Sequence, residues 1–142
     1  MPDVRPLADD VCICAFVPPE RLAELAPNFS TIINNRPDAE EPGQPSSAEI
    51  EAEARRLGLD YVHLPVVPGQ ITDEQVAAFG DAVAGRKGPI LAFCRTGTRS
   101  ATLWALSQSG KRSPEAILET AASAGYDLSA LKPKLKEEAP IK

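Results

Sequence analysis

The residue types best suited to chemistry lie together in one short segment, Cys94-Arg95-Thr96-Gly97-Thr98-Arg99-Ser100. It follows a continuous apolar run, Pro89-Ile90-Leu91-Ala92-Phe93, which reads as a strand buried on both faces. It precedes a helical pattern around Leu103, Trp104 and Leu106. A thiol at such a strand-to-helix turn faces unbonded helix N–H groups and the positive end of the helix dipole. Arg95 and Arg99 add positive potential, and both effects favour the thiolate, the nucleophilic form of cysteine. Gly97 lets the loop turn so that the amides of Thr96, Gly97 and Thr98 line a concave cradle for an anion. The planar fork of Arg99 suits two oxygens at once. Ser100 is placed either to cap the helix or to donate to the sulfur. The bland alternative is a structural cysteine beside two solvated arginines. Cys, Gly and Arg packed into one turn of this kind favour the chemical reading.

The elements that position this segment follow from hydrophobic periodicity and turn chemistry. Strands are predicted over 11–17, 31–34, 61–66 and 89–93. A short helix is expected over 20–25 behind Pro18-Pro19. Ser46 with Glu49, and Thr72 with Gln75, have capping-box spacing and open helices that run to Leu57 and about Val83. Ser113-Pro114 starts another helix that ends near Gly125, and a last one is expected from Ser129. The segment 35–45 is rich in turn formers and reads as a long loop. Alternating strands and helices predict an α/β fold, with a mostly parallel four- to five-stranded sheet and helices on both faces. Ligands of such sheets bind beyond the carboxyl ends of the strands, which is where Cys94 falls.

The chain has 142 residues, 43% of them hydrophobic and 25% charged, enough for one domain with one sizeable core. A net charge of −5 and a pI near 4.9 argue against a nucleic-acid partner. No apolar run approaches a bilayer span, and Met1-Pro2-Asp3-Val4-Arg5 does not open a signal peptide. Three cysteines do not make a disulfide framework. The expectation is a soluble, cytoplasmic single domain over 1–142, without membrane association, and with no cofactor or metal called for by its residues.

Three blocks carry a family resemblance: Thr31-Ile-Ile-Asn-Asn-Arg36-Pro-Asp38-Ala-Glu-Glu41-Pro-Gly, Tyr61-Val-His-Leu-Pro-Val, and Gly88-Pro-Ile-Leu-Ala-Phe-Cys-Arg-Thr-Gly-Thr-Arg-Ser. Over about residues 10–130 the chain resembles the phosphatase-like domain of beta-lactamase hydrolase-like proteins, related in fold to dual-specificity phosphatases. The resemblance implies a cysteine-phosphatase-like fold with Cys94 as nucleophile and the loop to Arg99 as anion cradle. It also implies that Arg36 and the acidic residues after it approach the site. Two positions depart from the phosphatase pattern. Only four residues separate Cys94 from Arg99, one fewer than in those enzymes, and Phe93 stands where they have histidine. Cys-x-x-Gly-x-Arg-Ser is instead similar to the loop of rhodaneses, which carry sulfur as a cysteine persulfide.

A phosphatase needs an acid to protonate its leaving group. Asp73 is the candidate at the corresponding place, although with Glu74 it falls in a first helical turn, where acidic residues complement the dipole. Asp38, Glu40 and Glu41 are alternatives. Cys12 and Cys14 share a strand face and read as core rather than as a resolving or metal-binding pair. His63 and Trp104 also read as structural, and Lys132 to Glu138 as a solvated charged end. The sequence thus favours a phosphatase-like hydrolase acting through Cys94 on a phosphorylated substrate. Sulfur transfer from a sulfur donor is the alternative, and a non-catalytic oxyanion-binding module the second alternative. Oligomeric state is not legible.

Overall fold

The computed structural model describes residues 4–136 except Asp9 and Lys87; Met1–Asp3 and Glu137–Glu138 of the sequence reading lie outside it. Among the described residues five strands form one sheet: β1 Arg5–Ala8, β2 Val11–Cys14, β3 Thr31–Asn34, β4 Asp60–His63 and β5 Ile90–Phe93. Their spatial order is β1-β2-β5-β3-β4, with β1 antiparallel to β2 and all other pairs parallel. The expected α/β architecture is therefore present. β1 is the strand that periodicity missed. Its residues Arg5-Pro6-Leu7-Ala8 offer little alternation, the register slips between Pro6 and Ala8, and Pro6 is tolerated because the strand lies at the sheet edge.

β5 occupies the middle of the sheet and is buried along its whole length, as its unbroken apolar run predicts. Its side chains alternate between two cores. Ile90 and Ala92 face one with Val11, Ile13, Ile33, Phe79 and Trp104, while Leu91 and Phe93 face the other with Cys14, Ile32 and Ile50. The first core is covered by α3 Asp73–Gly85, α4 Thr98–Ser107 and α5 Pro114–Ser123. The second is covered by α1 Leu22–Leu25, extended on both sides by single 3₁₀ turns, and α2 Ser47–Arg56.

The caps predicted from sequence form. Ser46 accepts from the Glu49 amide, Thr72 and Gln75 complete a reciprocal box, and Ser113 accepts from the Ala116 amide. Several boundaries differ. β2 stops at Cys14 and β4 at His63, because the chain beyond each strand end turns to serve the site. The expected last helix is a 3₁₀ segment, Ser129–Lys134, since Pro133 within it cannot continue an α-helical ladder. No helix among the described residues is long and apolar enough to cross a membrane.

Leu91 is fully buried on the central strand. Leu91→Ala should cost about 2–5 kcal/mol, read as a lower urea midpoint without a change in slope.

Candidate active site

The loop after β5 sits where β5 lies between β2 and β3, at the carboxyl ends of all three strands. Cys94 is fully buried, and the Gly97 amide donates to its sulfur at 3.1 Å. Gly97 has φ +97°, and a side chain there would collide with the Tyr126 hydroxyl. Glycine is thus required both by backbone conformation and by the close approach of Tyr126. α4 starts directly after it, earlier than the apolar pattern alone indicated, so the positive end of its dipole lies at the cysteine loop.

Arg99 is the best anchored group in the site. Its Nη1 donates to Glu40 at 2.8 Å and to the Val66 carbonyl at 2.7 Å, while Nη2 donates to Glu40 at 2.9 Å. Of the five guanidinium N–H groups, this leaves Nε–H and one Nη2–H, which share a single edge. Burial works against the Arg99 charge, but the Glu40 hydrogen bond and the negative charge at Cys94 outweigh it and raise the pKa. Glu40 is shifted the opposite way. Its hydrogen bond with Arg99 overcomes partial burial and, helped by Arg36, holds the carboxyl below its ordinary value.

The acidic pair is itself held from behind. Arg36 donates to Glu40 at 3.0 Å and to Glu41 at 2.6 Å, and its guanidinium lies 4.8 Å over the Phe16 ring. Glu41 also pairs with the exposed Arg95 at 3.0 Å. Gln44 fixes the loop that carries both acids, accepting from the Glu40 and Glu41 amides and donating to the Pro37 carbonyl. His63 Nε2 donates to the Arg36 carbonyl at 2.9 Å, a positioning contact in keeping with its structural reading.

The predicted site residues separate into four groups. Cys94, Gly97 and Arg99 meet at the sulfur, and Arg36 and Arg95 reach it only through Glu40 and Glu41. Thr96 and Thr98 are exposed on the loop, their hydroxyls bonded to each other at 3.2 Å. Ser100 and Asp73 are not brought to the sulfur. The Ser100 hydroxyl neither caps α4 nor points at Cys94; it donates to Asn35 at 2.8 Å, and Asn35 in turn donates to the Leu64 carbonyl. This chain ties α4 to the segment after β4, so the hydroxyl is committed to holding the turn. Asp73 opens α3 and lines a cavity with Ile71 and Lys134 instead. Asp38 accepts from the Ser47 amide at the start of α2. Asn35, Gln44, Tyr126 and the Val66 carbonyl were invisible in the sequence, because each reaches the site from a separate segment with no local pattern.

Cys12 and Cys14 share a face, as their spacing requires, and belong to the second core. Burial, then the neighbouring Cys94 and Cys12, pushes the Cys14 thiol up to about 12, so it stays protonated at neutral pH. No cluster of His, Cys, Asp or Glu among the described residues is arranged to hold a metal ion.

A mostly parallel sheet of this order, with a cysteine loop cradled at the start of a helix, defines a cysteine-phosphatase fold. The chain belongs to the family described as the phosphatase-like domain of the beta-lactamase hydrolase-like protein, which matches residues 3–111. A beta-lactamase hydrolase-like protein of Xylella fastidiosa is 38% identical over 113 residues, 78% of this chain and 26% of that protein. Its counterpart in Agrobacterium fabrum is 38% identical over 107 residues, 74% of this chain and 25% of that protein. The chain thus spans about a quarter of the length of these relatives. Among solved structures, a phosphatase candidate from Neisseria meningitidis superposes with TM-score 0.83 at 29% identity, covering 92% of this chain and 94% of that one. The core catalytic domain of the PP-IP phosphatase of S. cerevisiae shares the fold, with TM-score 0.68 at 15% identity over 92% of this chain and 81% of that one.

The lowered Glu40 pKa gives a pH dependence with a definite sign. A depressed carboxyl stabilises the fold above its unfolded value, about 4.5, and that contribution is lost as pH falls through the folded value. Glu40→Gln should cost about 2 kcal/mol at pH 7. The gap in urea midpoint between wild type and variant should narrow only below the unfolded value.

Proposed function

We propose that this domain transfers sulfane sulfur through a persulfide on Cys94. The observation that carries the reading is the state of the acids around the cradle. Glu40 is held ionised by Arg99 and Arg36, Glu41 is paired with Arg36 and Arg95, and Asp73 lies along a different cavity. Among the described residues, no carboxyl is both beside Cys94 and free to protonate a departing alkoxide. Phosphomonoester hydrolysis needs such a proton, whereas sulfur transfer does not. The short loop agrees, since four residues between Cys94 and Arg99 enclose less space than a phosphoryl group with three oxygens asks for.

In this reaction the Cys94 thiolate attacks the outer sulfur of thiosulfate or of a persulfide. The donor S–S bond breaks, and sulfite or a thiolate leaves as a stable anion. The new Cys94–S–S⁻ charge is held by the Gly97 amide, the α4 N-terminus and the remaining edge of Arg99. An acceptor thiolate or cyanide then attacks the outer sulfur, and Cys94 departs as thiolate.

A second reading, phosphoester hydrolysis through a Cys94 thiophosphate, is favoured by the likeness to the Neisseria structure and by the same Arg99 edge, which suits two phosphoryl oxygens. Without a proton donor it would be confined to leaving groups stable as anions, such as phenolates.

Paired assays separate the two readings. Wild type should form thiocyanate from thiosulfate and cyanide, with at most slow release of phosphate from aryl phosphates, and Cys94→Ser should abolish both. Fast hydrolysis of an alkyl phosphate without thiocyanate would overturn the proposal. Silence in both arms would contradict catalysis on these substrates and favour the oxyanion-binding module.

A further inference from the structure

A cleft of about 300 Å³ runs from Arg99 along α4, between the segment after β4 and the C-terminal 3₁₀ turn. Its lining includes Ile71, Leu106 and Leu131, all half-buried, together with Thr102 and Lys134. Lys134 also borders an adjoining cavity of about 480 Å³ that contains Lys136 and Asp73. No ion pair holds Lys134 among the described residues, whereas Arg36, Arg95 and Arg99 are all paired. Val67, whose neighbour Val66 binds Arg99, is 46% exposed beside the Pro68 that lines the cleft. Arg99 and Leu106 are seven residues apart on one helix, or ~10 Å along its axis. Leu106 and Lys134 border both cavities, so the cleft carries Arg99, then apolar side chains along this ~10 Å of helix, and a second cation, Lys134, in the part it shares with the adjoining cavity.

We propose that this cleft binds the carbon body of the thiol that accepts sulfur from Cys94, and that Lys134 binds a carboxylate at the thiol's far end. The proposal rests on the sulfur-transfer reading. The acceptor thiolate attacks the outer sulfur of Cys94–S–S⁻. One S–S bond forms on the acceptor, the bond to Cys94 breaks, and the electron pair leaves with Cys94 as thiolate. The acceptor departs as its persulfide, so no oxidant or reductant is consumed. Apolar contact with Ile71, Leu106 and Leu131 supplies binding, and the charge at Lys134 selects the end group.

The test compares sulfanyloctanoate with aminooctanethiol as acceptors from protein loaded with thiosulfate. Wild type should prefer the carboxylate in kcat/KM by roughly tenfold, and Lys134→Glu should reverse the preference. Because the readout is a ratio on one protein sample, a partly unfolded variant does not imitate it. An equal ratio in wild type, or one unmoved by Lys134→Glu, overturns the proposal. A binding arm is independent of turnover: suberate titrated into Cys94→Ser should shift the methyl resonances of Ile71, Leu106 and Leu131, and succinate should shift them less. Loss of those shifts on adding Lys134→Glu supports the cleft, and their absence from the start overturns it. Failure of thiosulfate to load Cys94 would remove the sulfur-transfer reading alone, with the suberate arm still deciding the cleft.

Discussion

The end-on clasp of Arg99 by Glu40, with the Val66 carbonyl as the third member, joins three parts of the chain at the site. Glu40 comes from the loop after β3, Val66 from the segment after β4, and Arg99 from the first turn of α4. Parallel strands deliver all three to the same end of the sheet, so the clasp closes the site from above. A charge-assisted pair between a buried guanidinium and a partly buried carboxylate is shielded from solvent and salt far better than a surface pair. It also fixes which donors remain. With Nη1 fully engaged, only the Nε edge can turn to the sulfur or its ligand, and the guanidinium cannot rotate away without losing three hydrogen bonds.

The rest of the neighbourhood reads as support for that geometry. Arg36 prevents Glu40 and Glu41 from repelling each other and is itself packed on Phe16, whose ring meets Phe93 at 5.6 Å. Gln44 holds the loop backbone, and Ser100 with Asn35 fixes the helix against the strand ends. The resulting field is less positive than three arginines suggest, because two carboxylates stand among them. The persulfide proposed for Cys94, soft and singly charged, asks for no stronger field. A phosphate dianion would gain less from it.

Much of the frame was legible in the sequence because local rules governed it. A continuous apolar run marked β5, capping residues marked the starts of α2, α3 and α5, and Gly97 marked the turn. Cys94 and Arg99 were legible for the same reason: strand, thiol, glycine and arginine fall within one turn. β1 was not, since an edge strand with proline lacks the alternation that betrays a strand. The roles of Glu40 and Ser100 were not legible either. Sequence offered Glu40 as one of three alternative acids on a loop near the site and Ser100 at the cradle, and only the tertiary fold turns one to Arg99 and the other to Asn35. Asp73 shows the converse, being chosen by position along the chain while its helix carries it to a different cavity.

Intact-protein mass spectrometry after incubation with thiosulfate reads whether Cys94 carries sulfur. Sulfur transfer requires a gain equal to one sulfur atom, located on Cys94 by peptide mapping and released by cyanide. An unmodified protein, or sulfur found only on Cys12 or Cys14, would contradict it, as would a phosphoryl adduct on Cys94 formed from a phosphoester while thiosulfate leaves the thiol untouched.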